Sequence, residues 1–162
     1  MRYSVEPDKA SFERVILALE SESDGKKLEA ELVQNLRDIL EPAVAEAKSA
    51  VMAVSSGGIP HAGTPLGSAV AAGVDTYVRL GKNPMVGIEA KNTGMPRGFK
   101  NAPKRLDSRK GWRHPVFGTD KWVLQMGAPG WFEDAITKRQ DKYRKAVEQA
   151  LQHVADRIAR KA

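Results

Sequence analysis

The histidines are three, His61, His114 and His153, and no two of them share a helix face at the spacing that pairs metal ligands. Cysteine is absent, which removes thiolate metal sets and disulfide frameworks together and is compatible with a reducing compartment. The carboxylates Glu13, Glu20, Glu29, Glu31, Asp38 and Glu46 fall on the polar faces of helical stretches, where solvent and residues four positions away account for them. The glycines at 57, 58, 63, 67 and 73 never assemble into Gly-x-Gly-x-x-Gly or Gly-Lys-Ser/Thr after a strand, so no phosphate cradle is spelled out. Ser55, Ser56 and Ser68 lack the strand-to-helix elbow of a serine nucleophile. His114 stands before Pro115, which holds it in extended backbone and suits the end of a turn better than a general base. The expectation is a protein that is not an enzyme and carries no metal or other cofactor.

The remaining chemistry is that of contact. The stretch Arg97–Arg113 holds seven Lys/Arg against the single acid Asp107, a net +6 equal to the formal charge of the whole chain. A localised basic field steers an acidic partner, where the same charges spread evenly would serve solubility. No helix-turn-helix, zinc or RNA-binding motif accompanies it, so a protein-facing or solvated segment is favoured over a nucleic-acid site. Trp112, Trp122 and Trp131, with Phe117 and Phe132, fall within about twenty residues directly after it. Two readings stand side by side. Either these aromatics close a small core, or Trp112, Arg113 and Trp122 anchor a protein partner, Trp and Arg being the residues most enriched at interface hot spots. On the second reading the candidate interface comprises Arg105, Arg109, Lys110, Trp112, Arg113, His114, Phe117, Trp122, Trp131 and Phe132.

The elements that would carry these residues follow from hydrophobic period. From Gly25 to Val54, apolar residues recur every three or four positions (Leu28, Leu32, Leu36, Ile39, Leu40, Ala43, Ala47, Val51), which predicts a long helix, with a kink or a break near Pro42. Ser11–Leu19 suits a helix capped by Ser11, although Val15-Ile16-Leu17 would also suit a strand. Residues 55–65 read as a flexible loop, followed by a short helix over Leu66–Val74. Thr76–Leu80 and Met85–Ala90 form a hairpin around Gly81-Lys82-Asn83-Pro84, and Trp122–Met126 is a third strand. Residues 91–111 read as a basic loop or arm containing at most a short helical turn. Trp131–Arg160 has one apolar face and predicts a terminal helix of about 45 Å, longer than one core needs, with part of its stripe left for a neighbour. The fold class is α+β: a single domain over 1–162, in which a small antiparallel β-sheet is packed by a long helix of the N-terminal half and a long C-terminal helix. No apolar run reaches the length of a membrane helix and the first residues lack a signal-peptide core, so the protein is expected to stay where it is made, with no membrane partner.

The block Trp112-Arg113-His114-Pro115-Val116-Phe117-Gly118, then Trp122-Val123, then Pro129-Gly130-Trp131-Phe132 opening the last helix, resembles the neck proteins of long-tailed bacteriophages. These are also labelled tail-completion or minor tail proteins. The resemblance is most specific over Trp112–Phe132 and departs from the family's pattern at Gly130, which separates Pro129 from the aromatic pair. It implies a virion structural protein without catalytic activity, made in the bacterial host cytoplasm and assembled as a hexameric ring in the head-to-tail connector. Its neighbours would be the head-closure (stopper) protein and the tail terminator or tail tube. DNA would pass through the channel without being specifically bound. The alternative is a small basic nucleic-acid-binding protein using residues 97–113.

Overall fold

The computed structural model describes residues 1–54, 65–116 and 119–162. In chain order its elements are β1 (Arg2–Val5), α1 (Lys9–Ser21), α2 (Gly25–Met52), α3 (Leu66–Ala72), β2 (Val74–Arg79), β3 (Met85–Ala90), α4 (Ala102–Leu106), β4 (Trp112–Pro115), β5 (Trp122–Gln125), α5 (Asp134–Thr137) and α6 (Gln140–Ala159). The class is α+β, with a long helix in the N-terminal half, a long helix at the C-terminus and little sheet.

α2 buries the stripe its sequence announces: Leu28, Leu32, Leu36, Leu40, Ala43, Ala47 and Val51 are all inaccessible. The break allowed for at Pro42 does not occur. Pro42 lies inside the helix on its exposed face, where water can serve the Asp38 carbonyl that loses an amide donor, while buried residues before and after hold the helical path. α1 is a helix rather than a strand, and its N-cap is Asp8, not Ser11. The Asp8 Oδ2 accepts from both the amide (2.8 Å) and the hydroxyl of Ser11, which occupies the third helical position.

The terminal helix is shorter than the periodicity suggests. The chain forms α5, leaves helical geometry at Arg139 (φ −133°), and then forms α6, whose 20 residues span about 30 Å. Tyr143, Val147, Leu151 and Val154 are buried, and α6 packs on α1 and touches β1. The stripe expected to be left for a neighbour is therefore largely used within the chain.

The predicted hairpin is present as β2 and β3, but the sheet holds a strand that the pattern did not announce. Its order is β1-β3-β2, with the N-terminal β1 on one edge. The third predicted strand belongs elsewhere: β5 pairs with β4 in a separate two-stranded antiparallel ribbon. The expected loop at 55–65 lies outside the described residues apart from Pro65.

The chain divides into two compact units, each drawing on several segments. One comprises 2–42, 76–88 and 136–162. In it Arg157 of α6 pairs with Glu31 of α2, Lys161 pairs with Asp24, and the Arg2 guanidinium lies 4.2 Å from the Tyr77 ring centre. Gly87 permits β1 to come close, since a Cβ there would lie 2.1 Å from the Tyr3 carbonyl oxygen. The other unit comprises Met1, 43–75 and 89–135. There the Met1 amine donates to Ala90 O (2.9 Å), the Ala90 amide donates to Met1 O (2.8 Å), and the Lys91 amide donates to Gly73 O (2.9 Å). Lys91 Nζ stands 3.5 Å from Glu89 and 3.8 Å from Asp75.

The hydrogen bond from Arg157 holds the Glu31 carboxyl below its ordinary value of 4.5, and that from Lys161 does the same for Asp24, ordinarily 3.8. A lowered carboxyl pKa stabilises the fold above the unfolded value, and that contribution disappears as pH falls through the folded one. Arg157→Met should accordingly flatten the loss of stability between about pH 5 and pH 3 in urea titrations, with the difference from the parent chain shrinking as the pH drops.

Candidate protein-protein interface

The basic segment is anchored. Within it α4 turns Ala102, Pro103 and Leu106 inward, all buried, and leaves Lys104 and Arg105 exposed. The indole Nε1 of Trp131 donates to Pro103 O (3.3 Å), the Ala128 amide donates to Leu106 O (2.9 Å), and the Gly130 amide donates to Asp107 Oδ1 (2.8 Å). Asp107, the one acid of the segment, is thus engaged by backbone. Gly127 is required here, because a Cβ on it would lie 1.9 Å from Leu106 O. Gly130 has φ +83°, a left-handed conformation that glycine adopts without strain. All seven bases, Arg97, Lys100, Lys104, Arg105, Arg109, Lys110 and Arg113, are exposed, and none pairs with a carboxylate among the described residues.

Gly111, at φ +63°, leads the basic segment into β4. The ribbon pairs Trp112 with Gln125, Arg113 with Leu124, His114 with Val123 and Pro115 with Trp122. Because side chains alternate along a strand, this register sorts the ribbon into two faces. Trp112 and His114 share one of them. Trp112 is 8% exposed, and the half-buried His114 ring lies 5.7 Å from the Trp112 ring and 5.2 Å, edge-on, from Phe99. Arg113, Pro115, Leu124 and Trp122 share the other, extended by Met126 two residues beyond Leu124. Here Trp122 is 58% exposed, Leu124 59% and Met126 50%. Trp122 and Leu124 on one strand face, with Met126 just past the strand end and an arginine beside them, form a patch of the kind that marks an interaction surface.

The structure thus separates the residues that the sequence grouped. Trp112, Trp131 and Phe132 are packing residues, the last at 2% exposure with its ring 5.4 Å from that of Trp131. Trp122 is the tryptophan a partner can reach. Arg105, Arg109, Lys110 and Arg113 are on the surface, His114 is half-buried, and Phe117 lies outside the described residues. Leu124 and Met126 complete the patch although residue type alone does not single them out. The signal that finds them is the alternation from Trp122 through Leu124 to Met126, just past the strand end, with the intervening Val123 and Gln125 less exposed.

Searches of known protein families, curated proteins and solved structures find no match to this chain. Among the described residues no cluster of three His, Asp or Glu could hold a metal ion, and no helix is long and apolar enough to cross a membrane. The described residues present an exposed apolar ribbon face and a basic surface side by side in sequence.

The tryptophans should separate in a stability assay. Trp131→Ala should cost about 3–5 kcal/mol in urea unfolding, from lost buried volume together with the lost hydrogen bond to Pro103. Trp122→Ala should stay within about 0.5 kcal/mol of the parent chain.

Proposed function

We propose that this chain is a structural assembly protein of a long-tailed bacteriophage, a member of a homo-oligomeric, hexameric neck ring that joins the head-closure protein to the tail terminator or tail tube. The observation that carries the assembly part is the solvent-facing row Trp122, Leu124 and, just past the strand end, Met126, beside Arg113 on a ribbon whose other face is buried at Trp112 and half-buried elsewhere. Such a face gains by being covered, and a protein surface is what covers apolar side chains of this size. The placement in a phage neck rests on the resemblance over Trp112–Phe132. Three of its aromatics, Trp112, Trp131 and Phe132, are buried, which gives those positions a reason in packing.

The exposed bases favour protein over DNA within that setting. A neck lets DNA leave, and a dense basic lining would retain phosphates. A second reading, a small nucleic-acid-binding protein, draws on the same seven unpaired bases together with an exposed tryptophan able to stack on a base. It makes a separate prediction: if all seven bases met phosphates of duplex DNA, log K against log salt would fall with a slope of about −6.

Mixing the full chain with head-closure and tail-terminator proteins, followed by mass photometry, should yield ring-sized complexes. Reversing Arg105, Arg109, Lys110 and Arg113 to Glu should abolish the joining of filled heads to tails. Normal infectious yield from that variant would sink the neck assignment, and a monomer that ignores those partners while binding DNA with the steep salt slope would establish the second reading.

A further inference from the structure

The ribbon face has a matching surface on its own chain. Leu17 of α1 is 64% exposed, the most exposed of the large apolar residues described. Its neighbours one helical turn away are Glu13, Arg14, Glu20 and Ser21, all exposed. Arg14 is folded back toward the start of the helix, with Nε donating to Ala10 O and Nη2 to Ser11 Oγ, and it offsets one of the two glutamates, so the immediate surround of Leu17 is net acidic by one charge. Glu13 has only a long contact of 3.8 Å with the exposed Lys9, and Glu20 pairs with no cation among the described residues. The stretch Glu6–Glu22 holds five acids against two bases. An apolar knob in an acidic setting on α1 therefore complements an apolar row in a basic setting on the ribbon.

We infer that the occupant of the β4–β5 face is a second copy of this chain, bound through Leu17, Glu13 and Glu20 of α1. The inference rests on the assembly reading above and deepens it by naming the surface the ribbon meets. Trp122, Leu124 and Met126 close over Leu17, Arg113 meets the glutamates, and Arg105, Arg109 and Lys110 supply the attraction that sets register and speeds encounter. Nucleic acid would answer the bases and could stack on Trp122 but would leave Leu124 and Met126 wet, whereas the α1 surface answers all of them. The contact is heterologous, a different patch on each partner, and such a contact propagates from copy to copy and closes into a ring when the rotation allows.

Two full-length variants test it. Trp122→Asp spoils the ribbon face and keeps α1, and Leu17→Lys does the reverse. Both positions are exposed, so thermal melts should match the parent chain. In sedimentation velocity over a concentration series, each variant alone should self-associate at least about 30-fold more weakly than the parent. An equimolar mixture should recover association but stop at a one-to-one dimer, because only one good pair of faces remains. In a second set, Arg113→Glu and Glu20→Arg should each weaken association and partly restore it when combined in one chain. If Leu17→Lys associates like the parent while Trp122→Asp does not, the inference is overturned and the assembly reading stands with another occupant. A parent chain that stays monomeric yet binds the head-closure or tail-terminator protein through Trp122 has the same meaning. Failure to associate with itself and with those partners overturns both.

Discussion

The backbone of residues 127–130 comes against the end of α4 with no room for a side chain between them, and the candidate interface depends on that approach. Gly127 permits it, the Ala128 amide closes on the Leu106 carbonyl, and the Gly130 amide takes the Asp107 carboxylate. The segment that follows β5 is thereby tied to the segment that precedes β4. A basic stretch rich in glycine and proline would otherwise be a flexible arm. Fastened at α4 and roofed by the Trp131 indole, it presents its cations from a defined surface, and a surface with fixed charge positions can discriminate among partners where a flexible arm would only attract.

The long amphipathic elements were legible because their apolar residues repeat at helical period over many turns. α2 is the clear case, and its stripe is buried almost residue for residue. The start of α1 was misplaced because Ser11 and Asp8 are both good caps, and the carboxylate three residues earlier reaches the Ser11 amide. β1 went unseen because four residues at a chain end carry no period of their own and become a strand only by pairing with β3. The interruption before α6 was hidden because the apolar spacing from Ile136 to Tyr143 continues across Arg139 as though the helix did. The candidate site was half legible. Residue types drew attention to the stretch that folds as the ribbon and its flanks, but whether a tryptophan packs or protrudes depends on which strand partner it meets, and strand register is a tertiary fact.

Sorting the aromatics also changes what the neck resemblance rests on. Burial gives Trp112, Trp131 and Phe132 a reason in packing, so the part of the resemblance that they carry speaks to fold. The positions left exposed are Trp122, Leu124, Met126 and the seven bases, which pair with no carboxylate among the described residues. Among the described residues the large apolar side chains left exposed are Trp122, Leu124 and Met126 at the ribbon, Leu17 on α1 and Met52 at the end of α2.

A ribbon of two four-residue strands is marginal in water when left to itself. In this chain it leans on Phe99 and the packed Trp112 for one face only. On the proposed assembly reading, its local stability would be set partly from outside, by the partner that closes over Trp122 and Leu124. Binding at that face would act as the last step in the folding of this corner, so that backbone marginal before association becomes protected afterwards.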